Sequence, residues 1–212
     1  MTSSARLLSV VGVLGLLLCG TASASSRDVN VIFGEKALSE DLLDASGVDN
    51  QAQVGVAVTL DFDWPVALAI DLLSSSEDET QSVASQLGPL SVDTKVETLE
   101  LNVGVRKYWG TTNRFYVGGG LAYVQLDAKQ TESGTLGPGS EFTDLILDDD
   151  GNGVGLWLNG GYVHRFGDHF NVGVDVRYSD AEADLTPVGA GASKLTLDSG
   201  GLHYGVQLGY HW

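Results

Sequence analysis

The sequence predicts an all-β fold, an eight-stranded antiparallel up-and-down transmembrane β-barrel. Three observations carry that expectation. Apolar residues recur at every second position in eight separate stretches of the chain, and the joins between those stretches are alternately short and long. The face opposite the apolar one holds glycine, alanine and a few long charged residues, where a solvent-facing surface would be rich in lysine and glutamate. A spacing of two puts side chains on one side of an extended strand, so each stretch reads as a strand with two chemically different faces.

The chain opens with a short basic segment, Met1 to Arg6, then an uncharged run from Leu7 to Leu18 and the small-residue pattern Ala22-Ser23-Ala24. This is the layout of a cleaved export signal. Cleavage is expected between Ala24 and Ser25, leaving residues 25–212 as one barrel domain. A lipoprotein signal fits less well, because Leu18 precedes Cys19 where lipidation needs a small residue. Removing residues 1–24 takes away the single cysteine, so the mature chain enters an oxidising compartment with no thiol to cross-link. It also leaves ten basic against 28 acidic residues, a formal charge of −18. A nucleic-acid partner is excluded on that ground, since phosphate-backbone binding rests on clustered Lys and Arg. No later window reaches the ~18 consecutive apolar residues of a membrane helix.

The eight stretches lie near 27–36, 52–62, 65–73, 96–109, 114–127, 154–166, 169–179 and 201–212. In the second, Val54, Val56, Val58, Leu60 and Phe62 share one parity. The third repeats this with Val66, Leu68, Ile70 and Leu72, and the fourth with Leu99, Leu101, Val103 and Val105. Phe115, Val117, Leu121 and Tyr123 mark the fifth; Leu156, Leu158 and Tyr162 the sixth. Phe170, Val172, Val174, Val176 and Tyr178 form the seventh, and Tyr204, Val206, Leu208, Tyr210 and Trp212 the last.

Strands two and three are joined by Asp63-Trp64, four and five by Gly110 to Asn113, six and seven by Gly167-Asp168. The remaining joins, near 37–51, 74–95, 128–153 and 180–200, are long enough to be uncommon in a compact soluble domain and are expected to be loops. Strict alternation puts every long join at one end of a barrel and every short one at the other.

Which face looks outward decides the environment. The second face carries Gly55, Ala57, Thr59, Ala67, Ala69, Gly104, Gly118, Gly120, Gly161 and Gly173, interspersed with Asp71, Glu100, Arg106, Asp175 and Arg177. Glycine on a solvent face would weaken the strands for no return. Small residues beside long charged ones suit a narrow interior, and those five charges are expected to form an interior ion-pair network, because buried charges are tolerated only when paired. The apolar face then points into lipid. Ten residues at ~3.3 Å and a tilt of ~40° rise about 25 Å, the height of the apolar band of an outer-membrane barrel. Closure follows, since an open edge in hydrocarbon leaves backbone groups unpaired at several kcal/mol each. Phe62, Trp64, Trp109, Phe115, Phe166, Phe170, Tyr210 and Trp212 cluster at the short-turn end as one interfacial girdle; Tyr123, Tyr178 and Tyr204 are candidates for the other.

On FYVGGGLAYV at 115–124, HFNVGVDVRYS at 169–179, the terminal YGVQLGYHW at 204–212 and DWPVALAIDLL at 63–73, the chain resembles the small eight-stranded outer-membrane β-barrels of Gram-negative bacteria, the OmpA-barrel and OmpX-like group. The resemblance covers the mature chain and is close to uncharacterised proteobacterial members. It implies residence in the outer membrane among its lipids and lipopolysaccharide. It also implies that Tyr204, Val206, Leu208, Tyr210 and Trp212 form a C-terminal assembly signal read by the outer-membrane insertion machinery. No substrate or cofactor is implied.

Two local features hint at chemistry. DDDGNG at 148–153 matches the first half of a calcium loop through Asp148, Asp150, Asn152 and Gly153, but position twelve is Asn159 where a bidentate Glu is needed. A solvated acidic loop foot fits better, and no metal site is expected there. Ser179 and His203 face inward near the loop end with Asp175 and Arg177 nearby, the minimum for acyl transfer, yet no His-x-Ser pair of the barrel lipid A-modifying enzymes is present. His164, His169 and His211 are too scattered for a metal. The reading favoured is a structural or interaction barrel without an open pore and without enzymatic activity. A lipid A-modifying enzyme and a secreted lipocalin-like carrier are the alternatives. The four long joins hold 18 of the 28 acidic residues, which leaves two readings: divalent cations bridge them to lipopolysaccharide phosphates, or they are simply solvated and keep the exposed end soluble.

Overall fold

The structure is a computed structural model that describes residues 26–38, 50–85, 88–135, 141–185 and 195–212. The export signal, with Ala24 and Ser25, lies outside the described residues. Nine strands follow in chain order: β1 (Ser26–Leu38), β2 (Asn50–Asp61), β3 (Ala67–Ser85), β4 (Gly88–Trp109), β5 (Asn113–Thr135), β6 (Glu141–Phe166), β7 (Phe170–Leu185), β8 (Leu195–Asp198) and β9 (Gly201–His211). Each of β1 to β6 pairs antiparallel with its successor, β6 pairs with β7, and β7 pairs with β9. β9 returns to β1, from Asp28↔His211 to Leu38↔Gly201, and closes the barrel. β8 is not a ninth wall strand. It pairs with the far end of β7, through Glu182↔Asp198 to Leu185↔Leu195, and is set off from β9 at Ser199 and Gly200. The wall therefore has eight strands, with no edge through the apolar band.

Alternation along each strand sorts side chains as lipid and a packed lumen require. On β7, Asn171, Gly173, Asp175, Arg177 and Ser179 are buried, while Val172, Val174, Val176 and Tyr178 are exposed. β9 does the same with Gly201, His203 and Gln207 inside and Leu202, Tyr204, Val206, Leu208 and Tyr210 outside. The tight turns fall at 62–66, 110–112 and 167–169, and their backbones need the left-handed region: φ is 60° at Asp63, 94° at Gly110 and 58° at Gly167. Asp63 is held there by its own N–H donating to Asp61 Oδ1 at 3.1 Å. Exposed Trp64, Trp109, Phe115, Phe166, Phe170, Tyr210 and Trp212 ring this end, with Phe115 packed on Tyr162 and Tyr210 between Phe170 and Trp212. Tyr123, Tyr178 and Tyr204, all exposed, stand at the other interface.

The long joins differ from expectation. Residues 74–85 and 88–95 are strand, paired from Ser74↔Leu99 to Ser85↔Gly88, so the supposed loop is a continuation of the β3–β4 hairpin. β5 and β6 likewise pair out to Thr135↔Glu141, with one register shift between Gln130 and Thr131. At 22 residues, β4 rises about 55 Å along the barrel axis, roughly twice the ~25 Å apolar band. Half of it therefore stands beyond such a band. DDDGNG is also strand: Asp148, Asp150 and Gly153 pair with Lys129, Asp127 and Val124. An extended, laddered backbone cannot wrap an ion as a calcium loop does. The join at 39–49 lies outside the described residues.

Candidate functional site

The lumen is filled by three tiers of polar side chains, each tier drawing on strands far apart in sequence. At the short-turn end, Asp28 of β1 accepts from Arg114 Nη1 of β5 at 3.0 Å, from Arg165 Nη2 of β6 at 2.8 and 3.1 Å, and from Asn171 Nδ2 of β7 at 3.1 Å. Arg114 also lies over the Tyr108 ring, 4.0 Å from its centroid.

The middle tier is centred on Asp71. Its Oδ2 accepts from Arg106 of β4 and from Arg177 Nη2 of β7, the latter at 2.6 Å. Arg177 Nε faces Asp175 Oδ1 at 3.7 Å. Asp175 in turn accepts from Tyr116 OH at 2.5 Å and Asn159 Nδ2 at 2.9 Å, and Gln207 Nε2 donates to Tyr116 OH at 2.9 Å. Both guanidiniums stack over Trp157, at 5.7 Å for Arg106 and 5.1 Å for Arg177. Two arginines meet two aspartates here, so the tier is neutral. Room for the long side chains comes from glycine: a Cβ on Gly118 would sit 2.6 Å from Arg106 Cγ and 2.7 Å from Asn159 Oδ1.

Glu100 belongs to a third tier nearer the far end. It accepts from Asn102 Nδ2 at 2.7 Å and pairs with Lys36 Nζ at 3.8 Å; Lys36 also donates to Ser199 O at 2.8 Å. Apolar Leu73, Val96, Val124 and Leu126, all buried, turn inward at this end of the barrel. The sequence-predicted charges are thus all inside, but Asp71, Arg106, Asp175 and Arg177 form one group and Glu100 another. Asp28, Lys36, Arg114 and Tyr116 were not anticipated. Parity could have found them: Asp28 and Lys36 oppose Val29, Val31 and Phe33 on β1, and Tyr116 opposes Phe115 and Val117 on β5.

Ser179 and His203 do meet. Ser179 Oγ is 3.0 Å from His203 Nε2 and 3.1 Å from Glu100 Oε2. Behind the ring, however, His203 Nδ1 faces the side-chain carbonyl of Gln53 at 2.6 Å. The amide behind the ring orients the imidazole but carries no charge; the one nearby carboxylate, Glu100, lies 3.5 Å from Nε2 on the serine side of the ring, where it competes for the one hydroxyl proton. Ser179, Glu100 and His203 are 0%, 1% and 2% exposed, which leaves an ester no approach. Among the described residues no group of three or more His, Cys, Asp and Glu side chains is arranged to hold a metal. Tyr204, Val206, Leu208 and Tyr210 project outward from β9, and Trp212 extends its pairing with β1: Arg27 N donates to Trp212 O at 2.9 Å and Trp212 N to Arg27 O at 3.1 Å.

The profile of the outer membrane protein beta-barrel domain family matches residues 11–193. No curated protein sequence matches the chain. Among solved structures, the chain is similar to OprG, an outer membrane protein of Pseudomonas aeruginosa, at 17% identity and a TM-score of 0.55 over 90% of this chain and 97% of that one. It is also similar to Ail, the attachment invasion locus protein of Yersinia pestis solved with the heparin analogue sucrose octasulfate, at 11% identity and a TM-score of 0.53 over 88% of this chain and 98% of that one. At these identities the likeness is one of fold.

Proposed function

The chain belongs to the outer membrane protein beta-barrel domain family and resides in the bacterial outer membrane; from that premise we propose that it is a plugged, non-conducting barrel that anchors a projecting β-platform for contacts outside the cell. The observation that carries this reading is the contact between Arg177 and Asp71, which spans the lumen from β7 to β3. An eight-stranded barrel is only just wide enough for its own side chains, and these are long, charged and mutually bonded. The hairpins β3–β4 and β5–β6 supply the platform, standing clear of the apolar band. Surrounding lipid and lipopolysaccharide are its immediate partners, with divalent cations between the acidic hairpins and phosphate. The insertion machinery is a transient partner that reads β9.

The test is single-channel recording of the refolded protein in planar bilayers. Silence is expected; steady nanosiemens-scale conductance rules the plugged reading out. The competing enzymatic reading rests on the Ser179–His203 distance. It requires Ser179 to react with an activated phosphonate probe in detergent, or overexpression to remove acyl chains from lipid A. Burial of the pair argues that neither happens.

A further inference from the structure

We propose that the short-turn mouth of the barrel, which faces the periplasm, is a binding site for a phosphate-type oxyanion. The turns after β4 and β6 converge there over a cleft of about 480 Å³ lined by Thr111, Thr112, Arg165, Gly167, Asp168 and His211. That is within the ~300–1,000 Å³ range of small-molecule sites.

Charge balance singles this end out. In the middle tier Arg106 and Arg177 meet Asp71 and Asp175, and in the third Lys36 meets Glu100. At the mouth, two guanidiniums share one carboxylate: Arg114 and Arg165 both bond Asp28. Among the buried groups of this end one positive charge is left in excess, in a partly desolvated wall where an unneutralised charge is costly. The donors are also incompletely used. Arg165 Nε and His211 Nδ1 are buried without a hydrogen-bond partner, and both residues line the cleft. His211 is 8% exposed and the Arg165 side chain 20%, so the first is set into the wall while the second reaches the opening. A guanidinium, an imidazole and the hydroxyls of Thr111 and Thr112 arrive from the β4–β5 turn, β6 and β9. Donors from three directions suit an oxyanion with several oxygens. Asp168, exposed at the lip, is the one carboxylate among the lining residues and opposes binding. This inference does not depend on whether the lumen conducts.

The experiment follows backbone amide shifts of the ¹⁵N-labelled, detergent-folded protein as inorganic phosphate is added at constant ionic strength. Saturable shifts at Thr111, Thr112, Gly167 and Asp168 are expected. Arg165→Gln should weaken binding about tenfold, the effect of losing a charge-assisted donor, and Asp168→Asn should tighten it about two- to threefold, as for an exposed charge. Lys107→Gln, a charge change outside the cleft, should leave it unchanged. If Arg165→Gln fails to fold, as judged by loss of its heat-dependent gel shift, the opposite effects of Asp168→Asn and Thr112→Val decide. A second arm places the protein in phosphate-free buffer in phosphatidylglycerol nanodiscs. Shifts of the same amides there identify the source as a lipid headgroup, and their absence identifies a soluble phosphate compound. Linear shifts in free phosphate with none in nanodiscs, or equal affinity in wild type and Asp168→Asn, would overturn the site.

Discussion

Arg177 and Asp71 lie 106 residues apart, on strands that face each other across the barrel, and are joined by a hydrogen bond of 2.6 Å. β3 and β7 are four strands apart whichever way the wall is followed, so this bond crosses the lumen. Asp71 also accepts from Arg106, and one carboxylate thereby fixes two guanidiniums.

Asp71→Asn should therefore be among the most damaging conservative changes in the protein. It leaves Arg106 and Arg177 buried around a neutral amide, and breaking a buried charge cluster by removing one partner costs about 3–5 kcal/mol. Replacing the whole cluster, as Asp71→Leu and Asp175→Asn with Arg106→Met and Arg177→Met, should recover much of that loss, because no buried charge is then left without a counter-charge, while the amide at position 175 still accepts from Tyr116 and Asn159. Urea unfolding in lipid vesicles measures both. Equal stability of Asp71→Asn and wild type would mean the tier is wet enough to solvate its own charges.

Two wall glycines, Gly118 facing the lumen and Gly160 facing outward, allow a finer test. A Cβ on Gly118 meets Arg106 Cγ and Asn159 Oδ1, whereas one on Gly160 finds only Tyr116 O at 3.5 Å and Val117 Cγ1 at 3.8 Å. Gly118→Ala should cost about 1–3 kcal/mol through overpacking, and Gly160→Ala should fall within about 0.5 kcal/mol of wild type. The same unfolding assay reads both, and the difference between them tests the tight fit of Arg106.

The membrane-spanning part of each strand was legible because two environments impose opposite chemistry on alternate residues. Val174 and Asp175 differ since one meets lipid and the other Arg177. Beyond the apolar band that contrast disappears. Thr80 and Ser82 are exposed and the outer half of β3 carries no apolar stripe, so it reads as loop; on β4, Leu90, Val92 and Val96 do alternate with Ser91, Asp93 and Lys95, but that short stripe faces a strand with no apolar stripe to match it. Pair identity was hidden for another reason. Parity places Asp71, Glu100, Arg106, Asp175 and Arg177 inside, but which of them touch depends on strand order and axial level. Those are properties of the closed barrel, and they separate Glu100 from the other four. The Ser179–His203 contact was legible; its burial and the Gln53 carbonyl behind the ring were not.

The boundary between lipid and water can be located by a lysine scan. Val174, 49% exposed near the middle of the apolar part of β7, should lose about 2–4 kcal/mol on substitution by Lys. Ser82, exposed on the projecting part of β3, should change by no more than about 0.5 kcal/mol. A similar penalty at both sites would place the outer half of β3 inside the bilayer.

Acidic residues crowd the projecting end: Asp78, Asp93 and Asp150 on the two hairpins and Asp180 and Glu182 on β7 are all exposed. Lys95 relieves little of this, since its ammonium is committed to Glu97 at 2.9 Å, a hydrogen bond that raises its pKa. Anionic hairpins beside anionic lipopolysaccharide repel unless cations intervene. Limited proteolysis in lipopolysaccharide-containing bilayers should accordingly accelerate when EDTA removes Mg²⁺ and Ca²⁺. Equal cleavage rates with and without EDTA would show the hairpins to be simply solvated.

Trp212 offers a test that separates assembly from stability. Its ring is exposed at the short-turn rim, 5.8 Å from the Tyr210 ring and beneath the Arg27 guanidinium at 6.0 Å, while its backbone closes two hydrogen bonds with Arg27. Trp212→Ala keeps both backbone bonds and removes only rim contacts, so unfolding in detergent should shift by no more than about 1 kcal/mol. Deleting the residue also removes the two bonds, each worth about 0.5–1.5 kcal/mol net, and the barrel should still refold. In cells the two variants should behave alike and poorly, because each lacks the final aromatic of the alternating face that ends Tyr210, Trp212. The measurement is the fraction of newly made protein that acquires the heat-modifiable form in the outer membrane, compared with refolding yield in detergent. Normal insertion of Trp212→Ala would remove the recognition role and leave Trp212 as an interfacial anchor alone. Loss of refolding in detergent to the same extent as loss of insertion would assign the residue to barrel closure.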